Sequence, residues 1–148
     1  MKQVEIHRIT HLPPQISVLE KEAAGEGFRF LTRLIAEWRS GANRFDAPGE
    51  CLMAAYFNQQ LIGIGGLSVD PYVETNTARL RRVYVAASSR GQHVGETLKK
   101  ALVAHATLRF RSVRLFTDTP EGDAFYLHCG FMRTEDAHVT HIMLLGDT

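Results

Sequence analysis

The sequence predicts an α/β fold: a mixed, mostly antiparallel sheet flanked by about four helices. Three observations carry this. Apolar runs rich in β-forming residues recur from Lys2 to Leu145. Helical spacing with matching stop signals fills the stretches between several of them. The last two helical stretches are each bracketed by strands, which implies parallel crossovers, whereas the middle of the chain reads as an antiparallel meander. With 148 residues, 45% hydrophobic and 22% charged, one domain over 1–148 with its own core is expected.

Lys2 to Ile9 alternates in the manner of a short first strand, and Pro13-Pro14 punctuates it. Residues 15–24 are weakly helical and stop near Gly25 and Gly27. Phe28, Leu31, Ile35 and Trp38 recur at helical spacing before Gly41, a suitable left-handed terminator. Leu52 to Phe57 and Leu61 to Val69 flank Asn58-Gln59-Gln60 as the arms of a hairpin. Asp70 to Thr77 reads as a loop and Leu80 to Val85 as a strand among arginines. A long helix follows, with Val94, Leu98, Ala101, Leu102, His105 and Leu108 on one face. Val113 to Thr117 is a further strand. Thr119-Pro120 suits a helix start, since Thr can cap and Pro loses no useful N–H at the first helical position. Gly130 ends that helix, and His138 to Leu145 closes the chain as a strand or hairpin.

The formal net charge of +1 hides an asymmetry. Arg79 to Arg114 holds nine Lys/Arg residues against Glu96 alone, whereas the first 78 residues hold nine acidic and seven basic side chains. Such a block points to a local anionic partner, a phosphorylated cofactor or nucleic acid, or else to a solvated face. Nucleic acid is disfavoured, because Tyr84 and Phe110 fall in apolar patterns and not among exposed arginines where bases could stack. No apolar stretch approaches a membrane span. Cys51 and Cys129, with no secretion signal, fit a cytoplasmic setting and no disulfide framework.

Val83-Tyr84-Val85 leads into Arg90-Gly91-Gln92-His93-Val94-Gly95 and then a helix. A helix start offers unpaired N–H groups and the positive end of its dipole, and glycines let an anion come close. The glycine spacing is neither the dinucleotide fingerprint nor a Walker loop. Arg90 could grip phosphate oxygens with two bonds at once.

RGQHVG at 90–95, preceded by LRRVYV at 80–85 and followed by AFYLHCGF at 124–131, resembles the GNAT superfamily of acyl-CoA-dependent N-acetyltransferases. The resemblance implies a sheet splayed between strands four and five. It implies acetyl-CoA as cosubstrate, its pyrophosphate held by the loop from Arg90 through Gly91, Gln92, His93, Val94 and Gly95 to Glu96. The main chain of Val83, Tyr84 and Val85 would pair with the pantetheine arm, with Phe125 and Thr119 flanking the cofactor. His93 departs from the family pattern, which usually has Gly there, and Thr119 stands where Asn is usual.

The same resemblance makes Tyr126 the general acid that protonates the departing thiolate, a role a phenol with an ordinary pKa near ~10 can fill at neutral pH. The base is less clear. Arg79 stands where many relatives carry Glu, and arginine accepts no proton. Glu74, then Asp70, are the nearest carboxylates, with a water chain as the alternative. The acceptor, a small-molecule or protein amine, is expected between Glu22 to Phe30, Asn43-Arg44-Phe45 and Asp70 to Glu74. Relatives often form homodimers. His138 and His141 lack a ligand set, so no metal is expected. A non-catalytic acyl-CoA-binding module of the same fold is the competing reading.

Overall fold

The computed structural model describes residues 3–73 and 76–146. Strand β1 (Glu5–Ile9) leads to helices α1 (Ile16–Gly25) and α2 (Phe30–Ser40). The strands β2 (Cys51–Phe57), β3 (Gln60–Val69) and β4 (Thr77–Val85) follow. After them come α3 (Val94–Ala106), β5 (Ser112–Leu115), α4 (Pro120–His128), β6 (Met132–Asp136) and β7 (Val139–Leu144). Seven strands form one sheet in the order β1-β2-β3-β4-β5-β7-β6. Among the described residues, only β4 and β5 pair in parallel. The fold is therefore the predicted α/β class with a mixed, mostly antiparallel sheet.

Several local predictions rest on identifiable chemistry. Gly41 ends α2 with φ of 83°. The Thr119 hydroxyl accepts from Gly122 N at 3.0 Å and caps α4, with Pro120 at the first helical position. Asn58 and Gln59 both take positive φ, 49° and 65°, as a two-residue hairpin turn matched to strand twist requires. Other expectations need correction. The strand expected at Leu80 begins at Thr77, because Thr77 to Arg79 pair with Ser112 to Arg114. Leu108 does not continue the buried face of α3. The helix ends at Ala106, and Leu108 is 80% exposed. The crossover through α4 does not place its two strands side by side: β7 inserts between β5 and β6.

Helices α1 and α2 cover one face of the sheet. Leu19, Leu31 and Leu34 pack there on Leu52, Ile62 and Ile64. On the other face α3 brings Leu98, Leu102 and Ala106 against Leu67, Leu80 and Val113. Each such leucine contributes about 2–3 kcal/mol of burial. The approach of α3 is close because β3 is glycine-rich. A Cβ on Gly65 would lie 3.0 Å from Leu102 and 3.4 Å from Leu98.

Two features of β4 shape the site. It pairs with β5 over only Thr77 to Arg79, so beyond Leu80 the two strands diverge. It also carries a bulge, where Arg82 takes φ of 60° and the register with β3 shifts opposite Gly65. The extra residue sends both Arg81 and Arg82 toward the α2 face: Arg82 bonds Glu37 of α2 at 3.0 Å, and Arg81 lines a cleft with the same Glu37. Val83 then returns to the α3 face and Tyr84 to the α1 face.

Candidate functional site

At its closed end the wedge between β4 and β5 is fastened by charge. Asp70, 1% exposed, lies 3.1 Å from Arg114 of β5 and 3.8 Å from Arg79 of β4. Its Oδ1 also accepts from Tyr72 N at 2.8 Å. The Thr77 and Ser112 hydroxyls meet at 3.1 Å beside this cluster. Asp70 is thus a structural clasp and is not free to act as the base. Arg79 donates to the carbonyl of His138 at 2.7 Å, tying β4 to the β6–β7 turn. Glu74 lies outside the described residues.

At the open end β4 runs through a short 3₁₀ turn at Ala87–Ser89 into the loop and α3. Gly91 takes φ of 76°, with open space where a side chain would stand. No side chain caps α3. Its first amides are thus free to meet an anion at the positive end of the helix dipole. His93 occupies the N-cap with φ of 63°, a left-handed conformation that glycine adopts without penalty. The family's preference for Gly at this position therefore has a backbone reason. The imidazole does not fill the cradle: it is 82% exposed and reaches Glu96 Oε2 at 3.3 Å. That bond, ahead of the Lys100 charge, holds the Glu96 carboxyl below its usual range. Gln92 is exposed, whereas Val94 is buried and anchors the helix start.

Arg90 departs from its expected role. Its guanidinium makes two bonds to Glu26, at 2.7 and 2.8 Å, while Nε donates to the Val85 carbonyl at 3.1 Å. It also lies 5.2 Å from the centre of the Tyr84 ring. The Tyr84 hydroxyl donates to the same Glu26 at 2.5 Å. Bonds from Arg90 and then Tyr84 pull the Glu26 carboxyl down to about 2. Burial and the bond to Glu26 push the Tyr84 phenol well above its usual value. Glu22 accepts from Ala87 N at 2.7 Å. The two α1 carboxylates expected to receive an amine thus instead latch α1 to the phosphate-type loop.

On the far side of the wedge, Phe125 packs against the start of α3. A Cβ on Gly95 would lie 3.3 Å from the Phe125 ring and 3.5 Å from Val85. Tyr126 meets Phe125 edge to face with centroids 5.0 Å apart, and Phe131 at 5.5 Å. Burial raises its phenol pKa. Thr119 serves as the cap of α4, its oxygen already accepting a bond.

The pairing of two groups near Tyr126 escaped the sequence reading, which weighed His141 only as a metal ligand. His141 of β7, 2% exposed, joins Asp123 of α4 at 2.9 Å and Thr140 Oγ1 at 2.8 Å. Asp123 also takes a two-bond grip from Arg133, which holds its carboxyl down near 2. The His141 ring lies 6.2 Å from that of Tyr126, so this network fixes α4, and Tyr126 with it, against the sheet. Nothing in the local sequence announces the pairing, since Asp123 and His141 are brought together only by β7 inserting beside β5. No group of three or more His, Cys, Asp or Glu suited to a metal occurs among the described residues. No helix among them is long and apolar enough to cross a membrane.

A parallel strand pair that diverges beyond a three-residue seam, with an uncapped helix start after its first strand and the Phe125–Tyr126 pair on the helix after its second, is the arrangement of an acetyltransferase-type α/β domain. Residues 15–131 match the model of the acetyltransferase (GNAT) family, and the chain belongs to that family. No curated protein matches it. Among solved structures it is similar to a proposed acetyltransferase from Exiguobacterium sp. 255-15, with 24% identity, TM-score 0.87 and coverage of 96% of this chain and 93% of that one. It is also similar to a GNAT-family acetyltransferase from Staphylococcus aureus Mu50 (14%, TM-score 0.69, 96% and 100% covered). A third is glucosamine-6-phosphate N-acetyltransferase from Arabidopsis thaliana (16%, TM-score 0.62, 91% and 95% covered). At these identities the likeness is one of fold.

Proposed function

We propose that the protein transfers the acetyl group of acetyl-CoA directly to a primary amine, with Tyr126 as the general acid. The observation that carries this reading is a contact: the Phe125 ring, edge to face with Tyr126, is seated against Gly95 at the uncapped start of α3. Gly91 leaves the loop backbone accessible, so the residues present fit a pyrophosphate. Acetyl-CoA supplies an activated thioester.

The chain's own residues supply position and protons. Loop amides from Gly91 to Glu96 bind the pyrophosphate, and the backbone of Val83 to Val85, which pairs with no residue of β5 and whose Val85 carbonyl accepts from Arg90, aligns the arm. Tyr126 keeps its proton through neutral pH because burial raises its pKa, so it can deliver that proton as thiolate character develops. The attacking amine must first lose a proton. Arg81 and Arg82 on the α2 face disfavour a nearby ammonium by like charge, which lowers the pKa of an amine held there and eases its loss to water.

The test combines calorimetry with turnover. Wild-type protein should bind acetyl-CoA with micromolar affinity and release CoA in the presence of an amine. Tyr126→Phe should bind equally well while kcat falls about 100-fold. A well-folded protein that binds no acetyl-CoA sinks the reading. Undiminished kcat in Tyr126→Phe removes the acid role.

A further inference from the structure

The α2 face holds a cleft of about 400 Å³, lined by residues of the α2–β2 connection, the end of β3, and Arg81 of β4. Most of its polar groups are already committed. Glu37 bonds Arg82, Arg44 Nε donates to the Trp38 carbonyl, and both oxygens of Glu50 accept from backbone amides of Ala47 and Val69. Two groups are not. No hydrogen bond or salt bridge holds the Arg81 guanidinium among the described residues, although it is half-buried and beside Arg79 and Arg82. The Ser68 hydroxyl, on a residue 3% exposed, has no partner either.

The register brings these two together. Ser68 pairs with Arg79 and Gly66 with Arg81, so Ser68 and Arg81 are diagonal neighbours on one face of an antiparallel pair. That spacing is about 7–8 Å between backbones, within reach of an arginine side chain. A fold gains little by holding a half-desolvated cation beside two like charges without an ion pair of its own. Three arginines of β4 face this side, and Arg79 and Arg82 have their own carboxylates, Asp70 and Glu37. Arg81 is the member left over: the Glu37 charge acts on it, but that carboxylate is bonded to Arg82, and no carboxylate among the described residues pairs with Arg81 itself.

We propose that Arg81 and Ser68 form a carboxylate-binding subsite for the acceptor, so that the amine acetylated also carries a carboxylate. The subsite rests on the acetyl-transfer reading for its purpose but not for its existence. A planar guanidinium takes a carboxylate with two bonds, and the serine hydroxyl can donate a third. Glu37, Asp46 and Glu50 also line the cleft, which favours a singly charged carboxylate over a dianionic phosphate.

The test reads binding without turnover. The Nε–H signal of Arg81, assigned by its disappearance in Arg81→Lys, is followed in protein labelled with ¹⁵N-arginine. N-acetylglycine is the probe, with N-acetylglycinamide and inorganic phosphate as comparisons. Saturable movement with N-acetylglycine but not with the amide is expected, with affinity falling at least tenfold in Arg81→Met and severalfold in Ser68→Ala. The Arg81→Met variant should also melt a few degrees higher, because it removes an unpaired cation from a half-buried place. Equal shifts with acid and amide, tighter binding of phosphate, or unchanged affinity in a folded Arg81→Met overturns the subsite. A carboxylate that binds to a protein that does not use acetyl-CoA would leave the subsite standing and remove the proposed function instead.

Discussion

His93 shows how much a single backbone angle can decide. Its left-handed φ of 63° costs an L-residue about 1–2 kcal/mol, offset in a glycine variant by that residue's greater unfolded-state entropy. His93→Gly should therefore stabilise the fold by about 0.5–1 kcal/mol in urea titration, and acetyl-CoA affinity should hold or rise, since the exposed imidazole gives up only its bond to Glu96. A fall in stability would mean that the His93–Glu96 contact outweighs the backbone strain. At this scale the sequence was legible where chemistry is local. Thr119 capping and the Gly41 and Gly130 stops follow from side-chain reach and the missing Cβ. The left-handed Arg82 and His93 were illegible, because neither residue type announces positive φ and tertiary packing imposes it. The pairing of Arg90 was illegible for a related reason: its guanidinium has a carboxylate partner 64 residues away.

That partner makes α1 and the loop before α3 one unit. Glu26 joins Arg90 and Tyr84, and Glu22 joins Ala87, so three side-chain bonds tie α1 to the loop and a fourth ties it to β4. Glu26→Ala strips Arg90 of its counterion and leaves the buried Tyr84 hydroxyl without an acceptor. The partly exposed ion pair alone is worth little, and the orphaned hydroxyl adds about 1–3 kcal/mol. The melting temperature should fall by several degrees, and by less in Glu26→Gln, which keeps an acceptor for Tyr84. Equal losses in the two variants would show that charge and not the tyrosine bond matters. The pH dependence has a definite sign. A carboxyl whose folded pKa is lowered from 4.5 to about 2 stabilises above pH 4.5, and that contribution disappears as pH falls toward 2. Elements themselves were legible when their periodicity was long, as in α2 and α3. Strand β6 was not, because Met132 to Asp136 is largely exposed and carries little apolar signal.

For the whole molecule, the order of elements and the splay were legible from the resemblance and the hydrophobic pattern, while strand adjacency was not. Insertion of β7 between β5 and β6 satisfies edge pairing that no local pattern encodes. The wedge's closed end depends on Asp70, Arg79 and Arg114, distant in sequence and readable only as a basic block with a loop acid. Global stability should also respond to alkali. Burial raises the Cys51 thiol from 9.0 to about 11, so its stabilising contribution is complete below pH 9 and is lost as pH rises toward 11. Urea titrations at pH 8 and 10.5 should show a smaller alkaline loss in Cys51→Ala than in the wild type. A thiol reagent at pH 8 should reach Cys51 only on unfolding. Ready labelling of Cys51 in the native protein would contradict its burial.

The three-residue seam between β4 and β5 has a mechanical meaning as well. A tensile load applied across the strands is shared by five or more residue pairs at β1–β2, β2–β3 and β3–β4 and by four at β5–β7, but by three at β4–β5 and at the edge pair β6–β7. Of the interior lines, β4–β5 should yield first, parting a leaf of β1 to β4 from a leaf of β5 to β7. The clasp of Asp70 and its two arginines is the rivet that any such rupture must shear.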